Sequence, residues 1–203
     1  MLSFGYEQSE SAMKRLLSLA ALLVIIPHFQ AVAGSSLPVT RSIGAPVGFA
    51  GACARYKWLC GRMAAQQLDE QTAIALLQKV NRAVNGRIVS AEDRSSSGNG
   101  DVWSLPVAGR GDCEDYALQK MKDLIEAGYP SNRLALSVVI GPHDQNHVVL
   151  VARTDAGDYV LDNLTGAVKP WRATGYTFLA TQDFQSRTGW RVTLAGPRAG
   201  EFS

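Results

Sequence analysis

A change of hydrophobic period near residue 130 constrains this chain more than any other feature. Before it, apolar residues recur at helical spacing; after it they fall into short, strand-length blocks. Asp69 has the form of a helix N-cap, and Ile74, Leu77, Val80 and Val84 follow at helical intervals until Gly86. This predicts a first helix over 69–85. Tyr116, Ala117, Lys120, Met121, Leu124 and Ile125 give an apolar face to a second helix, from about Cys113 to Glu126. Gly128 and Pro130 close it. Strands are expected over 134–140, 147–153 and 158–162, the last two as a hairpin through 154–157. Further strands are expected over 176–181 and 190–194, with a short one at Ile88-Val89 and a polar Gly/Ser loop over 91–101. Helices first, then an antiparallel meander, is an α+β architecture.

The first 33 residues read as an address rather than a fold. Lys14 and Arg15 precede an apolar run from Leu16 to Ile26, which Pro27 breaks before a small-residue site at Ala31-Val32-Ala33. That order is the pattern of a secretory signal peptide. Glu7 and Glu10 are foreign to such a leader, so the start is Met1 or Met13. The apolar run falls short of the roughly 20 residues a membrane span needs; the alternative is an uncleaved anchor. The expectation is a periplasmic or secreted protein that does not span the membrane once the leader is cleaved. Residues 34–66, with Gly34, Pro38, Gly44, Pro46 and Gly48, read as an N-terminal arm, and 67–203 as the main domain. Twenty Lys and Arg against 18 Asp and Glu leave a net charge of +2, no electrostatic basis for nucleic-acid binding.

The chain has three cysteines. Cys53 and Cys60 are close enough to form a small disulfide loop in an oxidising compartment; two buried free thiols are the alternative. Cys113 is then left over, which suggests a reactive group or an intermolecular bridge.

A thiol nucleophile needs a base and a group to orient that base. Cys113 falls at a predicted helix N-terminus, where free N–H groups favour an anion and can serve an oxyanion. His147 opens one strand and Asp162 ends its hairpin partner, so both reach one end of the sheet. Cys113, His147 and Asp162 are therefore candidates for nucleophile, base and orienting acid. Read singly, each is also an ordinary core or turn residue. Trp103 is a candidate cleft wall and substrate contact, or simply core. Asp112, Glu114 and Asp115 suit the start of a helix, Asp112 as its N-cap. Their charge also opposes thiolate formation at Cys113. A hard cation would remove that conflict, and calcium suits an oxygen-only cluster, although one short segment cannot complete its shell. A zinc site at Cys113, His143 and His147 is a weaker alternative.

The strings D-V-W-S-L-P (101–106), G-D-C-E-D-Y-A (111–117), N-H-V-V-L-V (146–151) and Y-V-L-D-N (159–163) resemble the bacterial transglutaminase-like cysteine proteinases. Asn81-x3-Asn85 and Gly128-Tyr129-Pro130 also fit. The resemblance implies a papain-like or transglutaminase-like core, with a Cys-bearing helix packed on an antiparallel sheet bearing His and Asp. It implies Cys113 as nucleophile, His147 as base and then acid, and Asp162 as orienter. Well-understood members are calcium-dependent periplasmic proteases that cleave surface adhesins. The resemblance thus implies a protein substrate at the cell surface, and Ca2+ held by Asp112 and Glu114. The Cys53/Cys60 pair is similar to a smaller secreted branch of the family, which leaves the substrate open. Alternatives are protein-glutamine acyl transfer, as in transglutaminase crosslinking, and a non-catalytic calcium-dependent binding module.

Overall fold

The computed structural model describes residues 35–61, 66–91, 102–141 and 144–202. The expected leader and cleavage site, most of the 91–101 loop, and His143 lie outside the described residues. Asp69 caps the first helix as expected: its carboxylate accepts the Thr72 amide at 2.9 Å. That helix, here α3 (Glu70–Arg87), runs through Gly86 rather than stopping at it. Its last turn is held from outside by the ion pair of Arg87 with Asp123. The Cys-bearing helix, α4 (Cys113–Glu126), has the expected bounds. Ile88 is its neighbour's C-cap, and the short strand falls one residue later as β2 (Val89–Ser90), parallel to β3 (Arg110–Gly111).

The arm at 34–66 contains elements that its glycines and prolines hid. Besides β1 (Ser42–Ile43), it forms α1 (Val47–Arg55) and α2 (Lys57–Cys60), joined by a Cys53–Cys60 disulfide. Gly48 and Gly51 lie inside α1, at a propensity cost of roughly 1 kcal/mol each. Burial of Phe49, Ala52 and Leu59 in the main core outweighs that cost.

The strands are β4 (Leu134–Ile140), β5 (Asn146–Thr154), β6 (Gly157–Leu161), β7 (Lys169–Pro170), β8 (Thr177–Gln182) and β9 (Trp190–Ala195). They form one antiparallel sheet with β1, in the order β1-β9-β8-β4-β5-β6-β7. The expected meander therefore covers only β4 to β7. The chain then crosses back, so that β8 pairs with the other side of β4. Trp171 and Tyr176, on the crossing segment, are buried in the apolar cluster on one face of the sheet. That burial is the physical gain the crossing brings.

Both faces of the central strands are covered. Leu134, Leu136, Val148, Leu150 and Ala152 pack with the helices, while Ala135, Val139, Val149 and Val151 pack with Trp171 and Phe178. This explains why these strands read as apolar runs rather than as an alternation.

Candidate active site

Cys113 is the first residue of α4, with Asp112 at the N-cap position. The Asp112 side chain makes no capping hydrogen bond, contrary to the sequence expectation. The approach is tight: a Cβ on Gly111 would lie 2.6 Å from the Asp115 side chain. Asp115 turns away from the thiol, accepting the Ser104 amide at 3.0 Å and the Ser104 hydroxyl at 3.2 Å. Glu114 turns toward it. The Cys113 thiol donates to Glu114 Oε2 at 3.1 Å, and Glu114 is buried.

Burial pushes the Cys113 thiol well above its ordinary range, and the charge and hydrogen bond of Glu114 push it further. A hydrogen bond from the Val148 backbone works the other way. The resting group is a thiol, so the helix N-terminus alone does not make a thiolate here.

His147 lies near the start of β5 and Asp162 follows the last residue of β6. The pairing of Leu150 with Leu161 and Val151 with Val160 sets Asp162 diagonally across from His147, as the hairpin geometry predicts. His147 Nε2 is 2.9 Å from Asp162 Oδ1, and both side chains are buried. Asp162 Oδ1 also accepts the Leu164 amide at 3.0 Å, and Oδ2 accepts the Tyr176 hydroxyl at 2.5 Å. Burial alone would raise the Asp162 carboxyl, but these donors, His147 foremost, hold it below its usual range. An ionised Asp162 can only accept, so Nε2 is the donor of this contact, and in a neutral imidazole Nδ1 is then the acceptor.

Cys113 and His147 line one cavity of about 340 Å³, with Glu114, Trp103, Asn146 and Val148. Trp103 is both wall and core: it is 1% exposed, edge-on to Phe49 and Trp190. A larger cavity, of about 740 Å³, is lined by Leu68, Tyr129 and Arg133 and contains none of the candidate triad. The chemistry points to the smaller one.

Two supports were not assigned a role from the sequence. Asn85 Nδ2 donates to the carbonyls of Asp162 (2.8 Å) and Thr165 (3.0 Å), and Asn81 Nδ2 donates to Thr165 (3.0 Å). The Asn81-x3-Asn85 pair thus fastens the turn that carries Asp162 to α3. Two asparagines one helical turn apart, the first fully buried, are the available signal. Tyr176 had none, because it reaches Asp162 from the crossing segment.

The profile of the bacterial transglutaminase-like cysteine proteinases (BTLCP) matches residues 39–198. The chain belongs to that family. No curated protein matches it. Among solved structures it is similar to calcium-bound LapG of Legionella pneumophila, at 25% identity over 61% of this chain and 70% of that one, with a TM-score of 0.51. A second LapG structure from the same organism matches at 25% identity over 63% and 71%, with a TM-score of 0.50. This BTLCP member is thus a cysteine proteinase by family, on a transglutaminase-like α+β fold.

For a metal, Asp112 and Glu114 offer the oxygen donors that calcium takes. Among the described residues, no three His, Cys, Asp or Glu side chains are grouped to hold an ion. The zinc alternative needs His143, which lies outside the described residues. No described helix is long and apolar enough to cross a membrane.

Proposed function

We propose that this BTLCP member hydrolyses a peptide bond of a protein substrate, with Cys113 as nucleophile, His147 as base and acid, and Asp162 as the orienting carboxylate. The observation that carries the reading is the buried 2.9 Å contact of His147 with Asp162. It spends Nε2 and leaves Nδ1 for the thiol that shares the cavity. Nδ1 takes the Cys113 proton as sulfur attacks the scissile carbonyl carbon. The resulting oxyanion is stabilised by the backbone N–H groups of the first turn of α4. The C–N bond then breaks, the amine leaves with the proton from the imidazolium, and a thioester remains. His147 next takes a proton from water as the hydroxide adds to the thioester carbonyl; the C–S bond then breaks to release the acid, and the imidazolium returns its proton to the sulfur.

In the resting site Glu114 opposes the first of these steps. Asp112 and Glu114 would hold a calcium ion, and LapG is known in a calcium-bound structure. When bound, the cation supplies positive charge that offsets the carboxylates beside the sulfur. The leader pattern favours a periplasmic or secreted location, and the family resemblance favours a surface protein as substrate.

The test uses the Cys113→Ala chain to trap substrates from extracts of the source bacterium, in calcium and in EGTA. Wild-type protein should cleave the trapped protein in calcium, and Cys113→Ala should hold it uncut with its fold intact. Incorporation of a labelled amine in place of cleavage would instead mark acyl transfer. A stable uncut complex with the wild type would mark a binding module.

A further inference from the structure

We infer that Tyr176 is a positioning residue of the proposed triad, its hydroxyl fixing the Asp162 carboxylate so that His147 Nδ1 stays aimed into the cavity. This rests on the triad reading above.

A carboxylate held by one oxygen can pivot about its last torsion. Asp162 is held by both. Oδ1 takes His147 Nε2 and the Leu164 amide, while Oδ2 takes the Tyr176 hydroxyl at 2.5 Å. Tyr176 also touches the other partner. Its ring meets the His147 imidazole edge to face, with centroids 6.0 Å apart at 84°. One side chain therefore grips the acid and walls the base, and the two groups it bridges are 4% and 7% exposed. A charge-assisted hydrogen bond shielded from water is stronger than an exposed one, and loss of its donor leaves a buried oxygen unsatisfied.

The backbone is shaped to deliver this phenol. Gly175 adopts φ +76°, and the Tyr176 amide donates to Thr174 Oγ1 at 3.1 Å. Gly196 has φ +125°, and a Cβ there would lie 2.2 Å from the Tyr176 carbonyl oxygen. Any side chain at 196 would displace the residue that holds Asp162. Thr177, the next residue, pairs with Ile140 at the end of β4. The crossing that breaks the meander is thus what brings Tyr176 to the triad. Burial and the Asp162 charge keep the phenol protonated and donating at neutral pH.

The experiment compares the full chain, Tyr176→Phe and His147→Ala in excess calcium. One readout is the His147 Nε2 proton by NMR, assigned by its absence in His147→Ala. The other is the rate of Cys113 alkylation by iodoacetamide. The Phe variant keeps the ring contact and removes only the donor. Exchange of the Nε2 proton with water should quicken at least about tenfold, and the His147-dependent part of the alkylation rate should fall by a similar factor. A purely structural role would lower the unfolding temperature and leave both readouts in place, overturning the inference alone. If His147→Ala alkylates like the wild type, the triad reading fails, and this inference with it. Should Tyr176→Phe fail to fold, 3-fluorotyrosine at position 176 keeps size and fold. The Nε2 proton resonance must then move with the altered phenol acidity, and an unmoved resonance overturns the proposal.

Discussion

Glu114 and Asp162 are two buried carboxylates that act on the candidate site in opposite senses. Asp162 is surrounded by donors that hold its carboxyl below the usual range, and it takes the contact of His147 Nε2. Glu114 accepts the thiol proton and keeps Cys113 neutral. The sequence displayed acids on either side of Cys113 and so predicted the direction in which its pKa moves. It could not say which acid would reach the sulfur, because Asp115 is drawn away by Ser104 and that contact depends on the folded 102–106 segment. Glu114→Gln removes the charge and keeps the shape. In EGTA, Cys113 in that variant should have a lower pKa than in the wild type. Alkylation at neutral pH should then quicken about tenfold for every tenfold rise in acidity of the thiol. A pH series of iodoacetamide labelling measures it. The same variant should lose any response of alkylation to calcium, since it also removes a proposed ligand.

At the level of elements, the parts that were legible are those in which local pattern and tertiary packing agree. α4 and β4 fall where their periodicity sets them because their apolar faces are long and uninterrupted. α1 and α2 were not legible, because α1 carries two glycines and α2 is only four residues long, so both depend on contacts with distant residues. Those contacts converge on the cavity wall. Tyr56 Oη accepts the Leu105 amide at 3.0 Å, Arg55 Nη1 donates to the Trp103 carbonyl at 3.3 Å, and Phe49 packs on Trp103. The Cys53–Cys60 disulfide ties together the helix pair that braces Trp103. Replacing both cysteines by serine should cost about 2 kcal/mol, the loop-closure entropy of so short a ring. Urea denaturation would measure that loss. Because the brace ends at the wall rather than at the sulfur, Cys113 alkylation should change less than turnover of the trapped substrate.

The whole molecule carries buried charge that its modest net charge conceals. Arg187 is fully buried and donates to the carbonyls of Leu134 and Leu59, tying the sheet to α2, and burial lowers its guanidinium to about 10. Lys120 is 1% exposed on α4, its ammonium 5.7 Å from the centre of the Tyr116 ring. Burial lowers it to about 7, against the pull of Asp162. An unfolded lysine titrates near 10.4. Between those values the folded chain binds fewer protons at Lys120 than the unfolded chain, so this residue makes stability rise with pH. The slope from one such group reaches about 1.4 kcal/mol per pH unit. Below pH 7 both states are protonated and the cost of the buried charge is felt in full. Cys113, Tyr129 and Tyr176 have the opposite sign: their folded pKa values are raised, so above their unfolded values the folded state retains protons and stability falls. Together these groups give a maximum on the alkaline side of neutrality, where Lys120 has largely lost its proton and the thiol and phenols have kept theirs. Lys120→Met preserves length and apolar packing while removing the charge. It should raise stability most at pH 7 and below, and abolish the rise between pH 7 and the maximum while leaving the alkaline fall. Urea unfolding of both proteins across that range measures the difference; a parallel displacement of the two curves would mean that Lys120 keeps its proton in the folded protein.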